Sequence, residues 1–186
     1  REWDKLIELA RHEIARLGNG AARTKRKVEL ARLASEKLKK PGVCIDLWKD
    51  VLTDSEEHDE ALGELEKLYE RDKQWSELGA VLDKQAGLAG AKQQGAVLLK
   101  LAVLSTEKLQ DVGKATGAWK RLLAVDPDNR RAQDALRKLH IQLKDWDALE
   151  GLYAGQNKWD ELVRVLERQS EAEDNAAKVG LYTKIG

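Results

Sequence analysis

Apolar residues recur along this chain at steps of three and four, with charged residues between them. Leu38, Trp48 and Leu52 begin one such series, and Ala61, Leu65, Leu68 and Trp75 continue it. That spacing is the signature of amphipathic helices with one buried stripe. No alternating strand pattern occurs anywhere in the sequence. The series breaks at turn-forming stretches: Gly18-Asn19-Gly20, Gly87 with Gly90, and Asp126-Pro127-Asp128-Asn129. Together they predict about eleven helices, near 3–17, 22–39, 43–53, 56–71, 75–87, 91–109, 112–125, 129–143, 146–154, 158–171 and 174–185. Ser55 and Asp128 are the expected N-capping residues of the helices that follow them.

The stripe repeats. Leu38–Trp75 lies over Leu109–Trp146 without a gap, 71 residues apart. Trp48 meets Trp119, Leu65 meets Leu136, Leu68 meets Leu139, and Lys67 and Lys73 meet Lys138 and Lys144. A shared opening, Trp followed by Leu three residues on, begins at Trp3, Trp75, Trp146 and Trp159. Leu149–Trp159 also aligns with Leu65–Trp75, so the helix near 146–154 is expected to shift the phase of the repeat. Large aromatics on such a clock belong to stacked modules, each filling the same gap against its neighbour.

Composition narrows the function. Among 186 residues, 35% are charged and 42% hydrophobic, and the 33 basic side chains balance the 33 acidic ones. Zero net charge argues against a general nucleic-acid binder. The charges are segregated, however: residues 1–40 carry 12 basic and 6 acidic side chains, residues 46–72 carry 3 and 11. The basic run Arg23–Lys27 reads either as a dock for an acidic partner, anionic lipid or nucleic acid or, more simply, as a solvated helix start or the ion-pair partner of that acidic block. No apolar run approaches the ~20 residues of a membrane span. The single cysteine, Cys44, forms no intrachain disulfide and occupies the small-residue slot that Ala115 fills one repeat later. His12, His58 and His140 have no metal-ligand spacing. Gly113-Lys114 lacks the upstream glycine and strand of a phosphate loop. No catalytic residue, metal or cofactor site is expected.

At Ala115 a family pattern emerges. Ala115, Trp119, Leu122, Leu123, Val125 and Pro127 resemble the second helix of a tetratricopeptide repeat, and Asp145-Trp146 with Leu149 and Tyr153 resembles the same helix one module later. Cys44, Trp48, Val51 and Leu52 repeat the pattern, with Glu56 where proline would stand. Glu66 and Arg137 replace the family's first-helix glycine, and Tyr69 matches its tyrosine. The resemblance covers most of the chain. It implies an all-α, right-handed solenoid of antiparallel helix hairpins, residues 1–186 forming a single domain cut from a longer array. It implies a non-catalytic scaffold binding a protein or peptide in a concave groove lined by first helices. Projected onto this sequence, the groove residues are Arg26, Glu29, Glu60, Lys67, Glu70, Arg71, Lys100, Arg131, Asp134 and Lys138. A substrate-positioning accessory domain of a larger enzyme is the second reading, and a nucleic-acid-binding helical repeat the third. End-to-end self-contact through Trp3 and the 174–185 helix is an expected property of open ends, and a cytoplasmic setting is the default expectation. The asparagines Asn19, Asn129, Asn157 and Asn175 fall in or beside turns, which argues against a carboxylate clamp.

Overall fold

The computed structural model describes residues 2–38 and 40–172. Ten helices follow one another: α1 (Glu2–Arg16), α2 (Ala21–Lys37), α3 (Pro41–Asp54), α4 (Asp59–Arg71), α5 (Trp75–Leu88), α6 (Ala91–Glu107), α7 (Val112–Val125), α8 (Arg130–Leu143), α9 (Trp146–Ala154) and α10 (Trp159–Ala172). Among the described residues there is no strand. The all-helical class and ten of the expected helices are therefore as the spacing predicts; the eleventh, near 174–185, lies outside the described residues. The chain divides into two compact units, residues 1–118 and 119–186, and the division falls within α7.

Helix starts follow capping chemistry, with one correction. Ser55 and Asp128 do not cap. His58 Nδ1 accepts the Ala61 N–H at 3.3 Å, and Asn129 Oδ1 accepts the Ala132 N–H at 3.0 Å. A capping oxygen or nitrogen must sit on the residue directly before the first helical one, and those residues are His58 and Asn129. Ser55 instead closes α3, its N–H bonded to Val51 O. Pro41 opens α3, where its missing N–H costs nothing.

In the first unit, consecutive helices pack in hairpins: α1 with α2, α2 with α3, α3 with α4, α4 with α5, and α5 with α6. In the second unit α9 packs between α8 and α10. Leu149, Tyr153, Leu162 and Leu166 form its buried cluster, flanked by Ile141, Trp146 and Val165. Helix α9 has 9 residues against 14 in α5.

Burial repeats with the sequence. Ala61, Leu65 and Leu68 of α4 are buried, and so are Ala132, Leu136 and Leu139, each 71 residues on. The match extends to helices whose sequences are less alike. Leu30, Ala31 and Ala34 of α2 correspond at 71 residues to Leu101, Ala102 and Ser105 of α6, all buried. Lys27 then falls on Leu98, and it too is buried. The tryptophans sort into two kinds. Trp48 and Trp119 are 0% and 2% exposed, whereas Trp3 and Trp159 are 38% and 49% exposed. Trp75 is half-buried, with the Lys108 ammonium 5.7 Å from its ring centre.

The turn from first to second helix repeats as well. Lys73 and Lys144, 71 residues apart, have φ of 57° and 55°, in the left-handed region. In both turns the next N–H reaches back five residues: Gln74 N–H to Tyr69 O at 2.9 Å, and Asp145 N–H to His140 O at 2.9 Å. A left-handed L-residue costs about 1–2 kcal/mol, and glycine avoids that at an unfolded-state entropy cost of about 0.5–1 kcal/mol. Lys73→Gly and Lys144→Gly are each expected to raise stability by about 0.5 kcal/mol, read as a higher urea midpoint at unchanged slope.

Candidate partner-binding surface

Three cations of the basic run, Arg23, Arg26 and Lys27, are paired within the fold, and Lys25 is exposed. Lys27, on the second turn of α2, points inward and is 3% exposed. Its ammonium donates to Asp50 O at 2.9 Å, Thr53 Oγ1 at 3.0 Å and Asp54 Oδ1 at 2.8 Å, all at the end of α3. Asp50 Oδ1 lies 3.4 Å away. Arg23 Nε stands 3.2 Å from the other oxygen of Asp54. A buried ammonium is tolerated only when its donors are satisfied and a counter-charge is close, and both hold here. Arg23 and Lys27 are thus ion-pair partners of the acidic 46–72 block.

The expected groove residues fall into two groups. In the first unit, Arg26 of α2 donates to Glu13 at 3.1 Å and to Glu29 at 3.2 Å. Glu60 of α4 is held by Arg32 of α2, which keeps the Glu60 carboxyl below the usual carboxylate range. Lys67 pairs with Glu64 at 2.7 Å along α4, and Arg71 Nε lies 3.4 Å from Asp72. Glu70 is exposed. Lys100 of α6 donates to Glu66 Oε1 at 2.6 Å, and Gln85 of α5 donates to the other Glu66 oxygen at 3.1 Å. Two ion pairs thus join alternate helices: Arg32–Glu60 links α2 to α4, and Lys100–Glu66 links α6 to α4. In the second unit, Arg131, Asp134 and Lys138 are exposed on α8, spaced three and four residues apart and so on one face. Asp134 pairs with Arg137, which also lies 5.8 Å from the Tyr153 ring centre.

Arg32 and Glu66 were not among the residues expected from sequence. Glu66 carried a signal, because it stands in the family's glycine slot one 34-residue module before Lys100. Arg32 carried none. Between the start of α2 and the α3–α4 turn lies an open polar groove of about 1090 Å³, lined by Arg23, Lys25, Glu29, Arg32, Asp54 and His58 among others.

The remaining chemistry is structural. Cys44 is buried, and burial pushes its thiol pKa up, away from a reactive thiolate. His140 is 2% exposed and burial lowers its pKa, so the neutral ring is favoured. Asp111 Oδ1 accepts the Lys114 N–H at 2.9 Å, which puts a carboxylate where a phosphate loop would need to receive an anion. Among the described residues no three His, Cys, Asp or Glu side chains converge as a metal site, and no helix is long and apolar enough to cross a membrane.

The hairpins repeat, with Cys44 and Ala115 in one small slot and Trp48 and Trp119 in one aromatic slot, so the described residues form an all-helical repeat. The chain is similar to several solved structures. A crystal structure of MamA is 13% identical and covers 91% of each chain at a TM-score of 0.44. A second, MamA MSR-1 C2, is 17% identical over 85% of this chain and 94% of its own, at 0.45. A Podosopora anserina structure described as having nearly identical kinesin light chain TPR-like repeats is 17% identical over 82% of this chain and 84% of its own, at 0.44. No family model matches the sequence, and no curated protein does.

Proposed function

We propose that this chain is a non-catalytic protein-interaction scaffold that binds a protein or peptide through mixed-charge faces, one on each unit. Residues 1–186 act in this reading as a single repeat domain, which the gap-free match of 38–75 to 109–146 supports. The observation that carries the proposal is the pair of ion pairs joining α2, α4 and α6. They draw three alternate helices of the first unit into one charged face. Lys67, Glu70 and Arg71 extend from α4 beyond those pairs, with 73% of the Lys67 side chain and 60% of the Arg71 side chain exposed. Arg131, Asp134 and Lys138 supply the corresponding face of α8 in the second unit. Both charges are represented, so the surface selects a partner by charge pattern more than by apolar area.

The test is affinity capture with the full chain and with a Lys67→Glu, Lys138→Glu variant. Both lysines are exposed, so the fold should survive, and partner recovery should fall at least tenfold. Recovery that does not change would rule out this surface.

A further inference from the structure

The turn between α1 and α2 is built on Gly18-Asn19-Gly20, and Asn19 and Gly20 are both exposed. Asn19 Oδ1 accepts a hydrogen bond from the Arg23 guanidinium, one helical turn on. Asp54 anchors the same guanidinium, with Arg23 Nε 3.2 Å from Asp54 Oδ2. Gly20 O accepts the Thr24 N–H at 3.2 Å, but the Gly20 N–H donates to no acceptor among the described residues. No atom beyond the adjoining residues lies within 4 Å of where a Gly20 Cβ would stand. The turn therefore joins an uncommitted, uncrowded backbone nitrogen to a side-chain carbonyl polarised by a cation.

The other described asparagines are held differently. Asn129 is fastened at both ends of its carboxamide: Oδ1 accepts the Ala132 N–H at 3.0 Å, and Nδ2 donates to Asp126 Oδ2 at 2.9 Å. Its neighbour Arg130 carries a side chain. After Asn157 the backbone nitrogen is committed, because the Lys158 N–H donates to Tyr153 O at 3.0 Å. Attack by a backbone nitrogen on the preceding side chain needs that nitrogen free to lose its proton. It also needs the developing negative charge on the carbonyl oxygen to be stabilised by a fixed donor. Glycine on the nucleophile side adds backbone freedom and removes the Cβ from the path of approach.

We propose that Asn19-Gly20 is a site of spontaneous deamidation, with Arg23 as the residue that activates the carboxamide. The Gly20 nitrogen gives up its proton to solvent and bonds to Asn19 Cγ. The bond from Cγ to Nδ2 breaks, and the amide nitrogen leaves as ammonia, taking the equivalent proton back from solvent. Water then adds to either carbonyl of the resulting cyclic imide, whose C–N bond opens. The product is aspartate, or isoaspartate with the chain running through the former side chain. Nothing is oxidised or reduced, and water is the only co-reactant. Asn19 and Gly20 line the polar groove of about 1090 Å³, where Arg23, Lys25 and Arg32 face Glu29 and Asp54. A carboxylate at position 19 cancels that excess of one cation, so the modification resets the charge of the groove. This inference does not rest on the partner-binding reading above.

The full chain is incubated at neutral pH, digested at intervals, and mapped by mass spectrometry for amide-to-acid conversion. Methyl transfer by a protein isoaspartyl methyltransferase identifies the isoaspartyl product. Asn19 should convert at least tenfold faster than Asn129 and Asn157, and the methylated peptide should be the one that contains position 19. Asn19→Gln should abolish the methylation with helix content unchanged by circular dichroism, because the side chain is exposed. Arg23→Gln should slow conversion at Asn19 at least threefold; Lys27 still pairs with Asp54 in that variant, so α2 and α3 stay joined. Conversion at Asn19 no faster than at the other two asparagines would overturn the proposal. An unchanged or faster rate in Arg23→Gln would overturn the role given to Arg23.

Discussion

Trp48→Ala is expected to lower the unfolding free energy by about 3–5 kcal/mol, in the range for deleting a fully buried aromatic. Trp48 is 0% exposed in the interior of the first unit, on α3, whose neighbours are α2 and α4. Its indole N–H donates to Ser35 Oγ at 2.9 Å, so truncation leaves both a cavity and a hydroxyl deprived of its donor. The spread within that range depends on how far α2 and α4 can collapse into the space. Trp159→Ala provides the contrast. Its ring is 49% exposed, and its loss should cost only about 1 kcal/mol. Urea unfolding of the two variants beside the parent measures the difference. Equal midpoints would mean that Trp48 does not fill the gap between the α2 and α4 faces.

The second large effect is at Lys27. Removing one member of a buried ion pair leaves the other without compensation, and Lys27→Ala should destabilise by about 3 kcal/mol. The figure is set at the low end because Asp54 keeps Arg23 as a neighbour and its side chain is 14% exposed. The repeat supplies the compensating change. Lys27 stands in the slot of Leu98, which is buried, so Lys27→Leu with Asp54→Leu removes both charges together and leaves apolar side chains in their place. A buried pair replaced by well-packed apolar groups is often neutral, and the double variant should lie within about 1 kcal/mol of the parent. A double-mutant cycle checks this: additive losses would show that the two side chains do not act as a pair.

These two residues also mark how much the sequence disclosed. Trp48 was legible because burial of a large aromatic repeats at Trp119, and periodic burial is what a stripe of apolar residues encodes. Lys27 was legible only as charge. Nothing in Arg23-Thr24-Lys25-Arg26-Lys27 says which cation faces inward; that depends on the rotation of α2 about its axis and on the acceptors that α3 brings to it. The same limit applies to the candidate surface. Glu60, Lys67 and Lys100 fall on first helices by projection of the resembled family's pattern, whereas the bridges made by Arg32 and Glu66 depend on side chains meeting across 28 and 34 residues. The capping assignments failed by one to three residues, because Ser55 and Asp128 are good caps by type and only the helix start selects among neighbours.

A chain built from look-alike hairpins risks mispairing as it folds, since any apolar groove will accept any apolar helix. The ammonium of Lys27 removes that indifference at one joint. Only a helix ending in the acceptors that Asp50, Thr53 and Asp54 provide can satisfy it, so α3 fits as a key in a lock while α7, its look-alike, presents Arg121, Ala124 and Val125 at the corresponding positions.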